Sequence, residues 1–181
     1  MTAGTPISPI IGVNFTETIA GTGTSSNQGN QFALGTKVMA TYNQEWTYVH
    51  AAEAIARYKW VGIDETFEAS LLTAALVAAG YQIGVADAVA LANDDFGWVA
   101  TKGANLTASV SAATAVDTQL YTTSTAGQLS DLALTTVGTS VATLVYGAVV
   151  TTAGTTSAAA NVATMLSITP FSGFSATQSG Y

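Results

Sequence analysis

The 181-residue chain reads as a mainly β protein: a β-barrel or β-sandwich of short antiparallel strands with one short helix, plus an extended N-terminal arm. Three observations predict this. Short runs of aromatic and β-branched residues recur between turn residues, as in Glu45-Trp-Thr-Tyr-Val-His-Ala51 and Gly97-Trp-Val-Ala-Thr101. Threonine is abundant, with 29 copies, and its branched side chain suits a pleated surface. Charged residues make up only 8% of the chain, against about 25% in ordinary domains. A surface that needs so few charges is either covered by hydroxyls or buried by a partner.

The elements follow in order. Residues 1–33 hold two of the three prolines and the cluster Gly21-Thr-Gly-Thr-Ser-Ser-Asn-Gln-Gly-Asn30, which has the composition of a flexible hinge. Ahead of it, Ile10-Ile11-Gly-Val13-Asn-Phe15 is apolar enough for one strand. This region reads as an arm on a hinge, or else as an edge strand of the same domain followed by a long loop. The β-rich domain spans 34–170, and a Ser/Gly-rich tail, 171–181, reads as loose.

Within the domain, Lys37–Tyr42 is a strand and Asn43-Gln44 a turn. Residues 45–51 alternate, with Trp46, Tyr48 and His50 on one face and Glu45, Thr47 and Val49 on the other. Lys59–Ile63 repeats that composition. Residues 64–80 are the helix candidate: Asp64 or Thr66 can cap it, Phe67, Leu71, Ala74, Ala75 and Ala78 share a face, and Gly80 stands where a C-terminal glycine belongs. Its moderate length confines the firmest part to Thr73–Ala79. Gln82–Ala86 and Gly97–Thr101 form two strands, joined by a loop that ends in Asn93-Asp94-Asp95. Leu106–Val110, Thr118–Thr123, 139–150 and Asn161–Ile168 complete the sheet before Pro170.

Charge and composition exclude several function classes. The net charge is -7 with four basic residues, too few for the basic footprint that nucleic acid or an anionic membrane surface requires. Cysteine is absent, which removes disulfides, zinc thiolate sites and iron–sulfur clusters. The N-terminus lacks a basic region and a continuous apolar core, so it does not read as a secretory signal. Residues 132–150 carry no charge over the length of a membrane span, but four threonines, a serine and two glycines favour a sheet.

Motifs that carry chemistry fail on context. Asp95-Phe-Gly97 lacks the lysine and loops of a kinase, and Gly21-Thr-Gly23 lacks the third glycine of a dinucleotide site. No cofactor motif remains. His50 is the only histidine, no nucleophile elbow accompanies it, and its place beside Trp46 and Tyr48 reads as packing. Asn93-Asp94-Asp95 offers oxygen ligands, but no further acid stands at calcium-loop spacing and a turn is the stronger reading.

Several segments together resemble the head decoration (capsid cement) proteins of tailed bacteriophages. They are Gly35-Thr-Lys-Val38, Glu45-Trp-Thr-Tyr-Val49, Ile83-Gly-Val-Ala86, Asp95-Phe-Gly-Trp-Val-Ala100 with Gly103, and Leu120-Tyr-Thr-Thr-Ser-Thr-Ala-Gly127. The likeness covers 34–170 as a pattern of short β motifs; the first thirty residues match nothing in it. It implies a non-enzymatic virion protein on the outer capsid surface, with the major capsid protein and other copies of itself, as trimers or dimers, for partners. No catalytic residue carries over. The contact candidates are Ile10, Ile11, Val13 and Phe15 in the arm, and Trp46, Tyr48, Trp60 and Trp98 as core or interface anchors. Two other classes stay open: a fibre or receptor-binding module whose exposed Trp and Tyr side chains bind a cell-surface glycan, and a small hydrolase built on His50.

Overall fold

A computed structural model describes residues 12–21, 31–132 and 142–152, together with the backbone of 160–166. Ten strands stand among these residues: β1 (Lys37–Ala40), β2 (Gln44–Ala51), β3 (Trp60–Ile63), β4 (Glu68–Leu71), β5 (Gln82–Val85), β6 (Phe96–Val110), β7 (Gln119–Thr122), β8 (Leu129–Ser130), β9 (Leu144–Val150) and β10 (Ala160–Leu166). One short helix, α1 (Ala74–Ala78), lies between β4 and β5. The fold is mainly β, with a closed barrel, as the sequence predicts.

The pairing order is β1-β2-β4-β3-β5-β6-β10-β9-β7-β8, with two further contacts, β2–β6 and β6–β8. These two contacts close the sheet on itself twice. One ring runs β2-β4-β3-β5-β6 and returns to β2; the other runs β6-β10-β9-β7-β8 and returns to β6. The 15-residue β6 is the wall they share. Its first half pairs antiparallel with β2, from Glu45↔Lys102 to His50↔Phe96. Its second half pairs with β10, from Ala160↔Val110 to Leu166↔Gly103. Most pairings are antiparallel; β2–β4 and β6–β8 are parallel.

Gly103 marks the changeover. Its φ of +122° is open to glycine, and a Cβ there would stand 2.5 Å from the Gln44 Cα. The strand therefore turns while passing close to β2. Lys102-Gly103-Ala104-Asn105, between the expected strands Gly97–Thr101 and Leu106–Val110, has loop composition, and Asn105 also takes a left-handed backbone. Side-chain polarity alone does not reveal that hydrogen bonding continues through the bend.

The helix is confined to the second half of 64–80. Glu68–Leu71 forms β4 instead, because its backbone pairs with β3 from Val61↔Leu71 to Ile63↔Ala69. Pairing on both edges, with β3 across a short turn and with β2 through His50↔Glu68 and Ala51↔Ala69, overrides the helical propensity of the segment. The N-cap is Thr73, whose hydroxyl accepts from the Leu76 N–H at 3.4 Å. Gly80 closes α1 as expected: its N–H donates to Val77 and that of Tyr81 to Leu76, and its φ is +83°. Helix and sheet meet at Gly62, where a Cβ would lie 3.1 Å from the Leu76 Cδ1.

Two apolar clusters result from the alternation along the strands. Val49, Val61, Ile63, Ala69 and Val99 form one, bringing together a single face of β2, β3, β4 and β6 inside the first ring. The opposite face contributes Trp46, Tyr48, Trp60, Val85, Trp98 and Ala100 to a larger cluster that continues into the second ring through Leu106, Leu120, Leu129, Val145 and Val150. The two faces of β2 differ as the alternation predicts, and both are largely buried, with Glu45 and His50 partly exposed.

Residues 12–21 lie against this domain. The Phe15 ring stacks on Trp46 with centroids 4.4 Å apart and meets Trp98 edge-on at 5.9 Å. Val13 packs against the same cluster. Ile19 forms a two-hydrogen-bond bridge with Phe96. This part of the expected arm is thus folded onto its own barrel; residues 1–11, most of the hinge (22–30) and the tail lie outside the described residues.

Candidate interaction surface

The four aromatic candidates of the domain are interior. Trp46 and Trp60 are fully buried, and Tyr48 and Trp98 are each 2% exposed. Phe15 is buried and Val13 partly so, while Ile10 and Ile11 lie outside the described residues. Of the two readings, core or interface anchor, Phe15, Trp46, Tyr48, Trp60 and Trp98 take core positions within this chain. The physical cause is the cover over the first ring: Phe15 and Phe32 close over Trp46, Tyr48 and Trp98, and Leu72 and Leu76 pack on β3.

Two of the indoles are placed by a polar handle. The Trp46 Nε1–H donates to the Gln44 side-chain oxygen at 3.1 Å, and the Trp60 Nε1–H donates to the Ser109 carbonyl at 3.0 Å. The Gln44 amide in turn donates to the Ala104 carbonyl at 2.8 Å, linking β2 to the bend of β6. Trp60 and Ser109 connect the first ring to the second half of β6. Burial with a satisfied donor is the stable state of such a side chain. The Tyr48 hydroxyl is buried outside hydrogen-bond geometry. Burial pushes its pKa up, the nearby Gln31 backbone opposing and the Glu17 charge adding to the rise.

His50 is a structural clamp. Its Nε2 lies 2.8 Å from Asp94 Oδ1 and its Nδ1 3.5 Å from Glu68 Oε1, with the ring 4.8 Å from that of Phe96. This ties β2 to β4 and to the turn before β6. In that turn Asp94 has a left-handed backbone and Asp95 Oδ2 accepts from the Ala92 N–H, so Asn93-Asp94-Asp95 acts as a turn. Among the described residues no group of three or more His, Asp or Glu side chains is arranged to hold a metal ion.

Asp87 is the buried acid, 2% exposed. Its Oδ1 accepts from the Thr107 N–H at 3.0 Å, and its backbone carbonyl accepts from Arg57 Nε at 2.8 Å. Burial raises its pKa; the hydrogen bond from Thr107 and the Arg57 charge oppose the rise. The contact joins the end of β5 to the second half of β6.

Among the described residues the large apolar side chains that do face solvent are Tyr42, Val116, Leu132 and Tyr146. Tyr42 stands on the β1–β2 hairpin, where it and Asn43 both have positive φ. The others belong to the second ring. Val116 and Leu132 each follow a partner in the hydrogen bond from the Ala115 N–H to Asp131 Oδ2, so they flank one contact. Tyr146 lies where β9 slips register against β7, between Leu120↔Val145 and Gln119↔Val149. Sequence reasoning missed them because isolated apolar residues in a strand-rich chain look like core. Gly147, beside Tyr146, was the available signal of an irregular strand.

Of the uncharged stretch 132–150, β9 is a strand and 133–141 lie outside the described residues. No helix among the described residues is long and apolar enough to cross a membrane. The chain matches no family model, no curated protein and no solved structure.

Proposed function

We propose that this chain is a structural virion protein that binds the outer surface of an icosahedral phage capsid and bridges neighbouring major capsid protein subunits. The observation that carries the reading is the division of charge. Residues 132–181 contain no charged side chain, and the ring they help to build exposes Val116, Leu132 and Tyr146. Apolar, charge-depleted surface is what a contact between subunits requires. The likeness of the short β motifs to decoration proteins supports the same reading. A net charge of -7 favours the outside of a capsid over its DNA-facing side. Self-association as trimers or dimers is part of the proposal, with the second ring as the contact face. The glycan-binding alternative has less support, since all three tryptophans are interior and only Tyr42 and Tyr146 remain as exposed large aromatics among the described residues.

The test is to add the full chain to phage capsids lacking it and image the particles. Regular density at lattice symmetry positions is expected. The double variant Leu132→Asp, Tyr146→Asp should keep its melting temperature and lose occupancy at least about tenfold, the effect of removing a contact centre. Capsids that stay bare, or a charged variant that binds as well as its parent, would overturn the proposal.

A further inference from the structure

The chain holds a cleft of about 340 Å³ that the capsid reading does not use. It lies at the edge of the first ring, between two tight connections that the pairing Ile63↔Gln82 brings side by side. One wall is the β3–β4 turn, with Asp64, Glu65 and Phe67. The other is the exit from α1, with Ala79, Gly80 and Tyr81. We propose that this cleft binds an organic cation: an ammonium or guanidinium group carried on a short apolar stem.

Its chemistry follows from what lines it. Asp64 Oδ1 accepts three hydrogen bonds, from the Thr66 N–H, the Thr66 hydroxyl and the Glu68 N–H, all between 2.8 and 2.9 Å. These fix the carboxylate in place. Burial would raise its pKa, but the bonds from Glu68 and Thr66 outweigh that and hold it below the ordinary carboxylate value, so the group stays ionised. Its second oxygen is left for a ligand. Glu65 adds a second, exposed carboxylate. Phe67 and Tyr81 supply aromatic wall, which suits a stem and attracts a cation to ring faces.

The charge here is uncompensated. All four basic side chains of the chain fall among the described residues, and no ion pair there includes Asp64 or Glu65. Lys37 pairs with Glu45 at 2.9 Å, and Arg57 is held at the Asp87 carbonyl and over the Tyr58 ring. Two carboxylates beside aromatic wall, in a cleft of ligand size, suit a cationic ligand.

The site is tested by titrating the isotope-labelled full chain and following backbone amide shifts. The probes are butylguanidinium, its neutral counterpart butylurea, and a Gly/Ser peptide with one central arginine. Saturable shifts confined to residues 63–67 and 79–82 are expected with butylguanidinium and not with butylurea. Asp64→Asn keeps an acceptor for the turn and removes the charge; Glu65→Gln removes a charge that no hydrogen bond among the described residues uses. Each should weaken binding about tenfold, the loss of one charge-assisted contact. Tighter binding of the peptide would assign the site to a basic side chain of a partner protein, and equal binding to a free cation. Absence of saturable shifts, equal response to butylurea, or unchanged affinity in both variants would overturn the proposal. None of these outcomes depends on capsid attachment.

Discussion

Replacing Phe15 by alanine tests whether the N-terminal segment belongs to the barrel or to a partner. The ring stacks on Trp46 at 4.4 Å with 13° between planes, and meets Trp98 at 5.9 Å edge-on. Removing a buried Phe from water contact is worth about 1.5–3 kcal/mol. Aromatic pairing adds about 0.5–1.5 kcal/mol per pair. The cavity left behind brings the expected loss to about 3–5 kcal/mol. For a chain of this size that lowers the melting temperature by about 6–20 °C. The segment could instead let go of the barrel in the variant, and the loss would then stop at its docking free energy. Undocking exposes Trp46 and Trp98, and their emission would shift to the red before the main transition. Thermal melts and urea titrations of the isolated chain, followed by tryptophan fluorescence, read both quantities. A loss below about 1 kcal/mol with unshifted emission would refute the packing argument, because surface positions fall in that range. Deleting residues 1–20 should act in the same direction. That reverses the expectation of an independent arm, whose removal would leave the melting temperature unchanged.

Two further perturbations address the shared strand and the buried acid. Gly103→Ala places a Cβ 2.5 Å from the Gln44 Cα at a φ of +122°, so it should cost more than about 2 kcal/mol by urea unfolding; a neutral effect would mean that β6 does not bend there. Asp87 has a folded-state pKa raised above 3.8 by burial, so its contribution is fully present below that value and is lost as pH rises through the folded pKa. Asp87→Asn keeps an acceptor for the Thr107 N–H and does not titrate, so its stability relative to the parent should rise as pH climbs from 3.8, and a pH-independent difference would refute the assignment.

Much of the first ring was legible. The alternation in Glu45-Trp-Thr-Tyr-Val gave β2, short β-branched runs gave β3 and β5, and Gly80 located the end of α1. What failed shares one cause: the deciding interaction lies outside the segment itself. Glu68–Leu71 has helical composition and becomes a strand because β3 pairs with it. Leu129–Ser130 is too short to signal anything, and is a strand only through Val110 and Tyr121. Eight non-glycine residues among those described have positive φ, including Tyr58 and Phe67, whose identities give no hint of it. The aromatic anchors were recognised as anchors, but their exposure depends on what covers them. Phe15, thirty-one positions before Trp46, supplies that cover. The cleft beside Asp64 was equally hidden, since it exists only where the loops before β4 and β5 meet.

The strand common to both rings imposes an order of events during synthesis. Residues through Lys102 suffice to close the first ring around the front half of β6. The rear half, Leu106–Val110, emerges soon after, but β10 is made about fifty residues later. Translation at about 5–20 residues per second leaves that edge without β10 for several seconds. During this interval Leu106, Ala108 and Val110 line an open strand edge of the kind that recruits another chain. A charge-poor sequence offers few gatekeepers against that encounter, with Asp117 and Asp131 the only charged residues after Lys102. The joint that unites the two rings in the finished molecule is therefore the place where a nascent chain is most exposed to mispairing, and crowding on a polysome would be felt there first.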